Sequence, residues 1–279
     1  MAVMKLRHLL STANAWPLMA LAIAFFSGCA SAPTVPPEAR TELAPTGRLR
    51  VGLILSNQVL VTKDAKSGEL QGVTVNLSKA LAERLGVSFE PVGYANPAAL
   101  VKSFGNNEWD ISFLAFDPAR AQEVEFSPPY MEVDNTYLVA PNSKITSVGA
   151  VDQSGVTIAV PERSAPDLFL SRNLKSGQLL RLPGGGDAAV EALTSGKADV
   201  YAENAHMLSI YADRLPGARV LPGRYTVIQH AIATPKGKVA AAGYVKTFVE
   251  EAKVNGAIAE AIRAAGLRRT RVAAALPTK

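Results

Sequence analysis

Arg120 is the residue whose type and position most clearly suit the binding of a ligand. It lies just after the end of a predicted strand. The run 110–116 is apolar on both faces, which is typical of a strand buried in a parallel sheet. Asp117 and Pro118 then predict an N-cap and the first turn of a short helix that contains Arg120. Ligands bind at this edge of open α/β sheets, and a guanidinium pairs well with a carboxylate. The pattern predicts an anion site at Arg120; the alternative is an ordinary surface arginine.

Ser164 and Arg163 follow a later apolar run, 156–160, at another predicted strand end. Ser164 precedes Pro166, so it is a candidate N-cap of a helix. The backbone N–H groups at such a helix start can also hold an anion, and the two roles are compatible. The side chain of Arg163 is expected to add a second positive charge to the same cleft.

Glu203 and Asn204 end the strand that is predicted to begin at Asp199. Both side chains offer oxygen acceptors to a donor group of a ligand. Neighbouring residues of a strand point to opposite faces, so both reach one cleft only if the strand has ended there. Asn57 follows the first predicted strand and is a further candidate ligand-binding residue.

Other polar residues have simpler interpretations. His206 and His230 belong to no cluster with metal-ligand spacing, so we interpret both as structural and expect no metal or cofactor. The glycine-rich stretch 183–187 lacks a phosphate-binding pattern. It is predicted to be a flexible loop in which Asp187 is an N-cap.

The elements that position these residues alternate along the chain, which favours mostly parallel sheets with covering helices. The chain starts a second alternation near 156 and returns near 226, so it crosses twice between two lobes and forms a hinge. Phe113 and Phe116 are expected in the core. The predicted strands are 49–55, 87–92, 110–116, 136–140, 156–160, 178–182, 199–202 and 226–233, and the predicted helices are 73–85, 97–104, 166–173, 188–194, 206–212 and two within 238–265.

The stretch around Arg120 also resembles a family signature. The strand is followed by Asp117-x-x-Arg120 and then by Val124-x-Phe126-Ser127-x-Pro129-Tyr130. Flanking pieces that agree are Leu49-Arg-Val-Gly52, 68–72, 76–86 and Gly196-Lys-Ala-Asp199. In this order, from about residue 49 to 267, the chain resembles family 3 extracellular solute-binding proteins, the periplasmic receptors of polar amino acid ABC importers.

The resemblance implies a fold and its division. The expected fold is α/β, two-lobed and periplasmic-binding-protein-like of type II, with two mostly parallel sheets, covering helices and a two-strand hinge. Lobe 1 is predicted to comprise residues 47–139 plus 228–279, and lobe 2 to comprise 140–227.

The resemblance also implies an anion site. In the family, the arginine that matches Arg120 binds the ligand's carboxylate, and the turn that matches Ser164 is a second carboxylate contact from the opposite lobe. Arg163 stands where the family usually has glycine.

The ammonium site of amino-acid receptors is not preserved in the same way. Asn204 stands where those receptors usually have an aspartate for the α-ammonium, and Ala115 stands where they often have a hydroxyl contact. A buried ammonium without a charged partner costs several kcal/mol. We therefore expect a carboxylate ligand that is not an ordinary α-amino acid, unless Glu203 replaces the missing charge.

The N-terminal residues indicate export. Lys5 and Arg7 precede the apolar run 16–26, which has the length of a signal-peptide core and is too short to span a membrane. Residues 1–28 are therefore predicted to be a signal peptide, and the protein to be periplasmic.

Cys29, the only cysteine, follows the predicted signal peptide. Phe26-Ser-Gly-Cys29 resembles a lipobox, so Cys29 is expected to be lipidated and to anchor the protein to the membrane. The alternative is a free cysteine beside an ordinary cleavage site. The proline-containing residues 29–46 are expected to form a flexible tether outside the fold.

The charge balance excludes little but does not favour nucleic acid as a partner. The formal net charge is +5, to which Lys5 and Arg7 of the predicted signal contribute. Several basic residues near the C-terminus are expected on a solvated helix face and tail. They are Arg263, Arg268, Arg269 and Arg271.

The function implied by the resemblance is a receptor, expected to be monomeric, that closes on a small carboxylate-bearing solute and delivers it to an ABC permease. The alternative is an enzyme similar to periplasmic cyclohexadienyl dehydratases, which the same resemblance covers. We find no nucleophile and base pair, and no proton donor for the cleft except Glu203. No catalytic residue is therefore predicted.

Overall fold

The structure is a computed structural model and describes residues 34–183 and 185–276. The predicted signal peptide and Cys29 lie outside the described residues. The helices of the described residues are α1 Pro37–Leu43, α2 Val73–Leu85, α3 Pro97–Lys102, α4 Ala165–Asn173, α5 Gly185–Thr194, α6 Ala205–Arg214, α7 Val239–Val254 and α8 Ala257–Ala264. The strands are β1 Arg48–Ile54, β2 Thr62–Lys63, β3 Leu70–Gln71, β4 Ser88–Tyr94, β5 Ile111–Ala115, β6 Val124–Phe126, β7 Met131–Val139, β8 Thr157–Pro161, β9 Gln178–Leu182, β10 Val200–Asn204, β11 Arg219–Val220, β12 Thr226–Pro235 and β13 Thr270–Val272.

Most strands belong to one hydrogen-bonded sheet whose central order is β4-β1-β5-β12-β7-β10-β8-β9. The strands β4, β1 and β5 are parallel to one another, and so are β10, β8 and β9. We call the part built on the first set the first lobe and the part built on the second set the second lobe. The lobe boundaries given from the sequence stay a prediction.

The strands β7 and β12 join the two lobes, and we call them the hinge strands. They pair antiparallel with each other, while β12 also pairs with β5 and β7 also pairs with β10. The two predicted parallel sheets are therefore the two ends of one sheet, because the hinge strands hydrogen-bond to both.

The run that ends near Arg120 is a buried strand, as predicted. All five residues of β5 are buried, which is typical of a parallel strand covered on both faces. Phe113 packs edge-to-face against Tyr130, with ring centroids 5.7 Å apart. Phe116 lies just past the strand and is 46% exposed, so the prediction that it belongs to the core is wrong. Burying a side chain such as Phe113 stabilises the folded state by about 1.5–3 kcal/mol. This burial holds the end of β5 beside the cleft.

The predicted tether is wrong for residues 37–43, which form α1. This helix contacts α7, and Leu43 is completely buried. The carboxylate of Glu42 also accepts a hydrogen bond of 2.8 Å from the backbone N–H of Ala241 in the first turn of α7. The prolines did not exclude a helix, because proline is well tolerated at the first helical position, where Pro37 stands.

The C-terminal segment lies along a hinge strand. The strand β13 pairs antiparallel with β7, and Arg269 and Arg271 approach the Asp134 carboxylate of β7 to 3.4 and 3.0 Å. Both arginines are exposed, as expected from the sequence, and in addition pair with Asp134. Across the described residues, every helix lacks the combination of length and apolar character that a membrane span requires.

Candidate functional site

A cavity of about 320 Å³ lies between the two lobes and above the hinge strands. Both lobes and both hinge strands contribute side chains to it. The predicted site residues that line it are Asn57, Ala115, Arg120, Ser164, Glu203 and Asn204. The predicted site residue that does not line the cavity is Arg163.

Arg120 is 5% exposed and begins a single turn of 3-10 helix, Arg120–Gln122, which residues 116–119 separate from the end of β5. Its Nη1 donates to the Ala115 carbonyl at 2.9 Å, and its Nη2 donates to the Arg163 carbonyl of the second lobe at 2.8 Å. Its Nε has no hydrogen-bond partner within the described part of the chain. Burial, offset in part by Asp117, lowers its pKa to about 10, so the guanidinium stays charged at neutral pH.

The loop that contains Arg120 is fixed by Asp117. One carboxylate oxygen accepts from the backbone N–H of Ala119 at 2.9 Å. The N-cap of the 3-10 turn is Ala119, so the prediction that Asp117 is the N-cap is wrong. The other carboxylate oxygen of Asp117 accepts from Arg172 of α4 at 2.7 Å. Because α4 belongs to the second lobe, this ion pair and the Arg120–Arg163 hydrogen bond both cross the cleft. The structure therefore shows the lobes closed on each other.

Ser164 caps α4, as predicted. Its hydroxyl accepts from the backbone N–H of Asp167 at 3.3 Å, and the residue is buried against the cavity. The prediction for Arg163 is wrong in one respect, because its side chain is exposed. The backbone at Arg163 is left-handed, with φ 57°, and its carbonyl faces Arg120. Arg163 thus contributes a backbone acceptor instead of a second charge.

Glu203 and Asn204 both line the cavity, because β10 ends at Asn204 and the chain turns into α6. The Asn204 carbonyl oxygen caps α6 by accepting from Met207 N–H at 2.9 Å. The Asn204 amide nitrogen and its backbone N–H both donate to one oxygen of Glu203 at 2.8 Å. Burial nevertheless raises the pKa of Glu203 to about 7. The acidic group of this corner is therefore Glu203, and Asn204 holds it in place.

Two further predicted residues contribute in different ways. The side-chain oxygen of Asn57 accepts from the backbone N–H of Val59 at 3.2 Å and so shapes the loop after β1. Ala115 presents a methyl group to the cavity, while its carbonyl orients Arg120.

The start of α5 reaches the cavity, which corrects the prediction of a flexible loop with Asp187 as its N-cap. The helix already begins at Gly185, and Asp187 lies in its first turn. A Cβ atom at Gly186 would overlap the hydroxyl group of Tyr211. Glycine at this position therefore permits the close approach of α5 to α6 at the wall of the cavity.

Several cavity residues are absent from the predicted site, and one of them, His230, was interpreted as structural. Tyr201 precedes Glu203 by two residues on β10, so the alternation of a strand could have indicated it. His230 and Asn135 lie on the hinge strands, and both are buried and line the cavity. Their contribution depends on how β12 and β7 align with the lobes, which sequence patterns do not reveal.

The arrangement suits the binding of a small polar molecule. A buried guanidinium and a carboxyl group of raised pKa line the same cavity. Such a pair can hold a ligand that has a carboxylate at one end and a hydrogen-bond donor at the other. Within residues 34–183 and 185–276, no group of three or more His, Cys, Asp or Glu side chains is placed to hold a metal ion.

Two α/β lobes, two hinge strands and a cavity between the lobes that contains an arginine and an acidic residue define the class of two-lobed solute receptors. Residues 49–264 match the model of the bacterial extracellular solute-binding proteins, family 3, and the chain belongs to this family.

Individual similar proteins include both receptors and an enzyme. The ABC transporter glutamine-binding protein of Bacillus subtilis is 22% identical over 210 residues, which cover 74% of this chain and 76% of that protein. The cyclohexadienyl dehydratase of Pseudomonas aeruginosa is 27% identical over 139 residues, which cover 48% of this chain and 51% of that protein. Among solved structures, an ancestral amino acid-binding protein described as a precursor of cyclohexadienyl dehydratase has a TM-score of 0.69 and 25% identity, with 81% of this chain and 97% of that chain covered.

Proposed function

We propose that the protein is a periplasmic receptor that closes on a small carboxylate-bearing solute, amino-acid-like or another organic acid, and delivers it to an ABC importer. The observation that supports the proposal most directly is the Nε of Arg120, a charged donor of a cavity-lining residue for which the described part of the chain provides no hydrogen-bond partner. A buried donor without a partner costs about 1–3 kcal/mol, which a carboxylate in the cavity would recover.

The partners follow from the same proposal. The chain is similar to the glutamine-binding protein of an ABC transporter, which supports delivery to a permease. We propose that the receptor acts as a monomer, that the membrane attachment is a lipid on Cys29, and that no cofactor takes part.

The ligand class can be measured with a panel of small molecules. Thermal-shift and calorimetric titrations would compare the twenty standard amino acids with dicarboxylates, keto acids and aromatic acids. We expect binding by acids, and none by the corresponding amides or esters that lack a carboxylate. A panel in which no acid binds, or in which esters bind as well as acids, would contradict the proposal.

Variants of Arg120 connect the binding to the proposed site. Arg120→Ala should weaken the binding of the acid with the highest affinity by about a hundredfold or more. The reason is that charge-assisted hydrogen bonds contribute about 1.5–3 kcal/mol each. Arg120→Lys should recover only part of the loss, because an ammonium lacks the planar fork. Arg48→Ala removes an exposed arginine paired with Glu90 and serves as the control, for which we expect unchanged affinity.

A second candidate function is that of a dehydratase. The observation that favours it is the carboxyl group of Glu203, which is in part protonated at neutral pH and faces the cavity that contains Arg120. On a prephenate-like acid, Glu203 would donate its proton to the leaving hydroxyl group, which departs as water while carbon dioxide is lost. This role matches the alternative noted in the sequence.

The two functions are separated by one assay. The purified protein would be incubated with prephenate and with arogenate, and the aromatic product would be measured. Turnover that is lost in Glu203→Gln, with binding retained, would establish the enzyme and overturn the receptor. Saturable binding without turnover would support the receptor.

A further inference from the structure

His230 is a buried polar residue that neither the fold nor the anion site described above requires. It lies on β12, is 6% exposed and lines the cavity. Its Nδ1 is buried and has no hydrogen-bond partner among the residues that the structure describes. Within the described residues, the side chain of His230 thus lines the cavity with a ring nitrogen that is left for a hydrogen bond with a ligand or a water molecule.

The position of His230 places it at the same end of the cavity as Arg120. His230 is paired directly with Ala115 across β12 and β5. The carbonyl of Ala115 in turn accepts the 2.9 Å hydrogen bond from Arg120 Nη1. Residues paired across neighbouring strands project to the same face of a sheet, so the imidazole lies on the same face as the Ala115 side chain. It is also close enough to Arg120 to respond to the charge of the guanidinium.

Within the described residues, Arg120 Nε and His230 Nδ1 are two nitrogens left for hydrogen bonds to one carboxylate. A carboxylate accepts up to about four hydrogen bonds, and Arg120 has Nε available within the described residues. A neutral imidazole has one N–H and one lone pair, so Nδ1–H can donate to the second oxygen. Burial and the charge of Arg120 lower the pKa of His230 to about 3, which keeps the ring neutral. A second cation therefore does not face the guanidinium.

We propose that His230 is a ligand-binding residue of the carboxylate site, in which its Nδ1 hydrogen-bonds the same carboxylate as Arg120. This inference rests on the proposed function, and it adds to that function a hinge-strand contact. Because β12 joins the lobes, the ligand would then touch the hinge as well as both walls of the cleft.

A matched pair of variants tests the contact. Leucine and asparagine branch at Cγ as histidine does, but only asparagine places a polar atom where Nδ1 stands. The probe is whichever of L-glutamine, L-arginine, succinate and phenylpyruvate raises the melting temperature of the unaltered protein the most. We expect His230→Leu to weaken its binding by about tenfold or more, and His230→Asn to weaken it much less.

The melting temperature of the empty protein distinguishes ligand binding from a structural role. Replacing an unpaired buried nitrogen by carbon should leave that temperature unchanged or raise it. A structural histidine would show the opposite pattern, with a lower melting temperature and unchanged affinity.

A second measurement uses the unaltered full-length chain, so it does not depend on the folding of a variant. The chain contains three histidines, His8, His206 and His230. Labelling them with ¹⁵N gives imidazole signals, and substitutions of His8 and His206 assign them while His230 itself stays unaltered. We expect the probe to shift the His230 signals and to leave those of His206 in place, because His206 does not line the cavity and its Nδ1 accepts from the Arg268 N–H at 3.2 Å.

The outcomes separate the inference from the proposed function. Suppose that a probe binds in a way that depends on Arg120, that its affinity is the same for His230→Leu and for the unaltered protein, and that it leaves the His230 signals unshifted. This result overturns the role of His230 alone. Failure of all four probes and of the acid panel overturns the proposed function and the inference together.

Discussion

Glu203 is the residue whose charge the cavity controls most directly. Its carboxylate accepts two hydrogen bonds from Asn204, yet burial still raises its pKa to about 7. The folded protein thus retains a proton that the unfolded chain loses near pH 4.5, the ordinary value for glutamate. The stability and the binding properties of the protein should therefore both change between these two pH values.

The first prediction concerns stability. Since the folded pKa is raised, the stabilisation associated with the proton is complete below the unfolded pKa and is lost as the pH rises through about 7. The free energy of unfolding should fall by an amount on the order of 2 kcal/mol relative to Glu203→Gln over this range. Denaturant titrations of both proteins at pH 4.5 and pH 8 measure this change in the free energy of unfolding. Parallel pH profiles would show that Glu203 titrates normally.

The second prediction concerns the ligand. An α-amino acid needs ionised Glu203 to balance its ammonium, so its affinity should increase as the pH rises from 6 to 8. A ligand that accepts a hydrogen bond from protonated Glu203 should show the reverse trend. Calorimetry at both pH values determines the sign, and Glu203→Gln should flatten the profile in either case. A flat profile for the unaltered protein would mean that the ligand does not contact Glu203.

At the scale of elements, the closed cleft depends on α4 and on the loop after β5. The Asp117–Arg172 ion pair links these two elements across the cleft, with Asp117 buried and Arg172 half-exposed. Neither residue is among those that line the cavity. Arg172 therefore influences binding through the balance between open and closed lobes and not through a ligand contact.

We predict that Arg172→Ala weakens ligand binding about three- to tenfold by favouring the open state, although it removes no ligand contact. Calorimetry gives the affinity, and small-angle scattering should show a larger radius of gyration for the ligand-free variant. Arg214→Ala is the control, because Arg214 pairs with Asp187 inside the second lobe. Equal losses in both variants would assign the effect to general destabilisation.

The elements also explain which parts of the site the sequence could reveal. Arg120 and Ser164 stand directly after apolar strands and beside cap residues, so local patterns indicated both. Glu203 was uncertain because its direction depends on where β10 ends, which is decided by the Asn204 cap of α6. His230 was interpreted as structural because its place beside Ala115 arises from the antiparallel pairing of β12 with β5. That pairing joins residues far apart in the chain, and no local pattern encodes it.

A similar reason applies to α1. Its residues are proline-containing and precede the first strand, so composition favoured a tether. The helix forms because Leu43 and Ala39 are buried and Glu42 caps α7, which are contacts with the other end of the chain.

At the scale of the whole molecule, the described residues form the two lobes, and the proposed lipid attachment site, Cys29, precedes them in the sequence. Cys29→Ser should release the exported protein from the membrane fraction into the soluble periplasmic fraction, because one acyl-modified residue would be its anchor. Cell fractionation with an antibody, and mass spectrometry of the N-terminal peptide, would measure the change. Identical fractionation of both forms, with an unmodified cysteine, would show that the residue is not an anchor.

The place of β12 in the sheet has a consequence for the order in which the chain folds. The strand β5 needs β12 as a neighbour, yet β12 follows the whole of the second lobe in the sequence. A chain synthesised only as far as α6 would present the buried edge of β5 without its partner, and such edges promote aggregation. The strands β8, β9 and β10 have their parallel partners close by in sequence and should gain hydrogen-exchange protection earlier during refolding. The first lobe to be made would thus be the last to be completed.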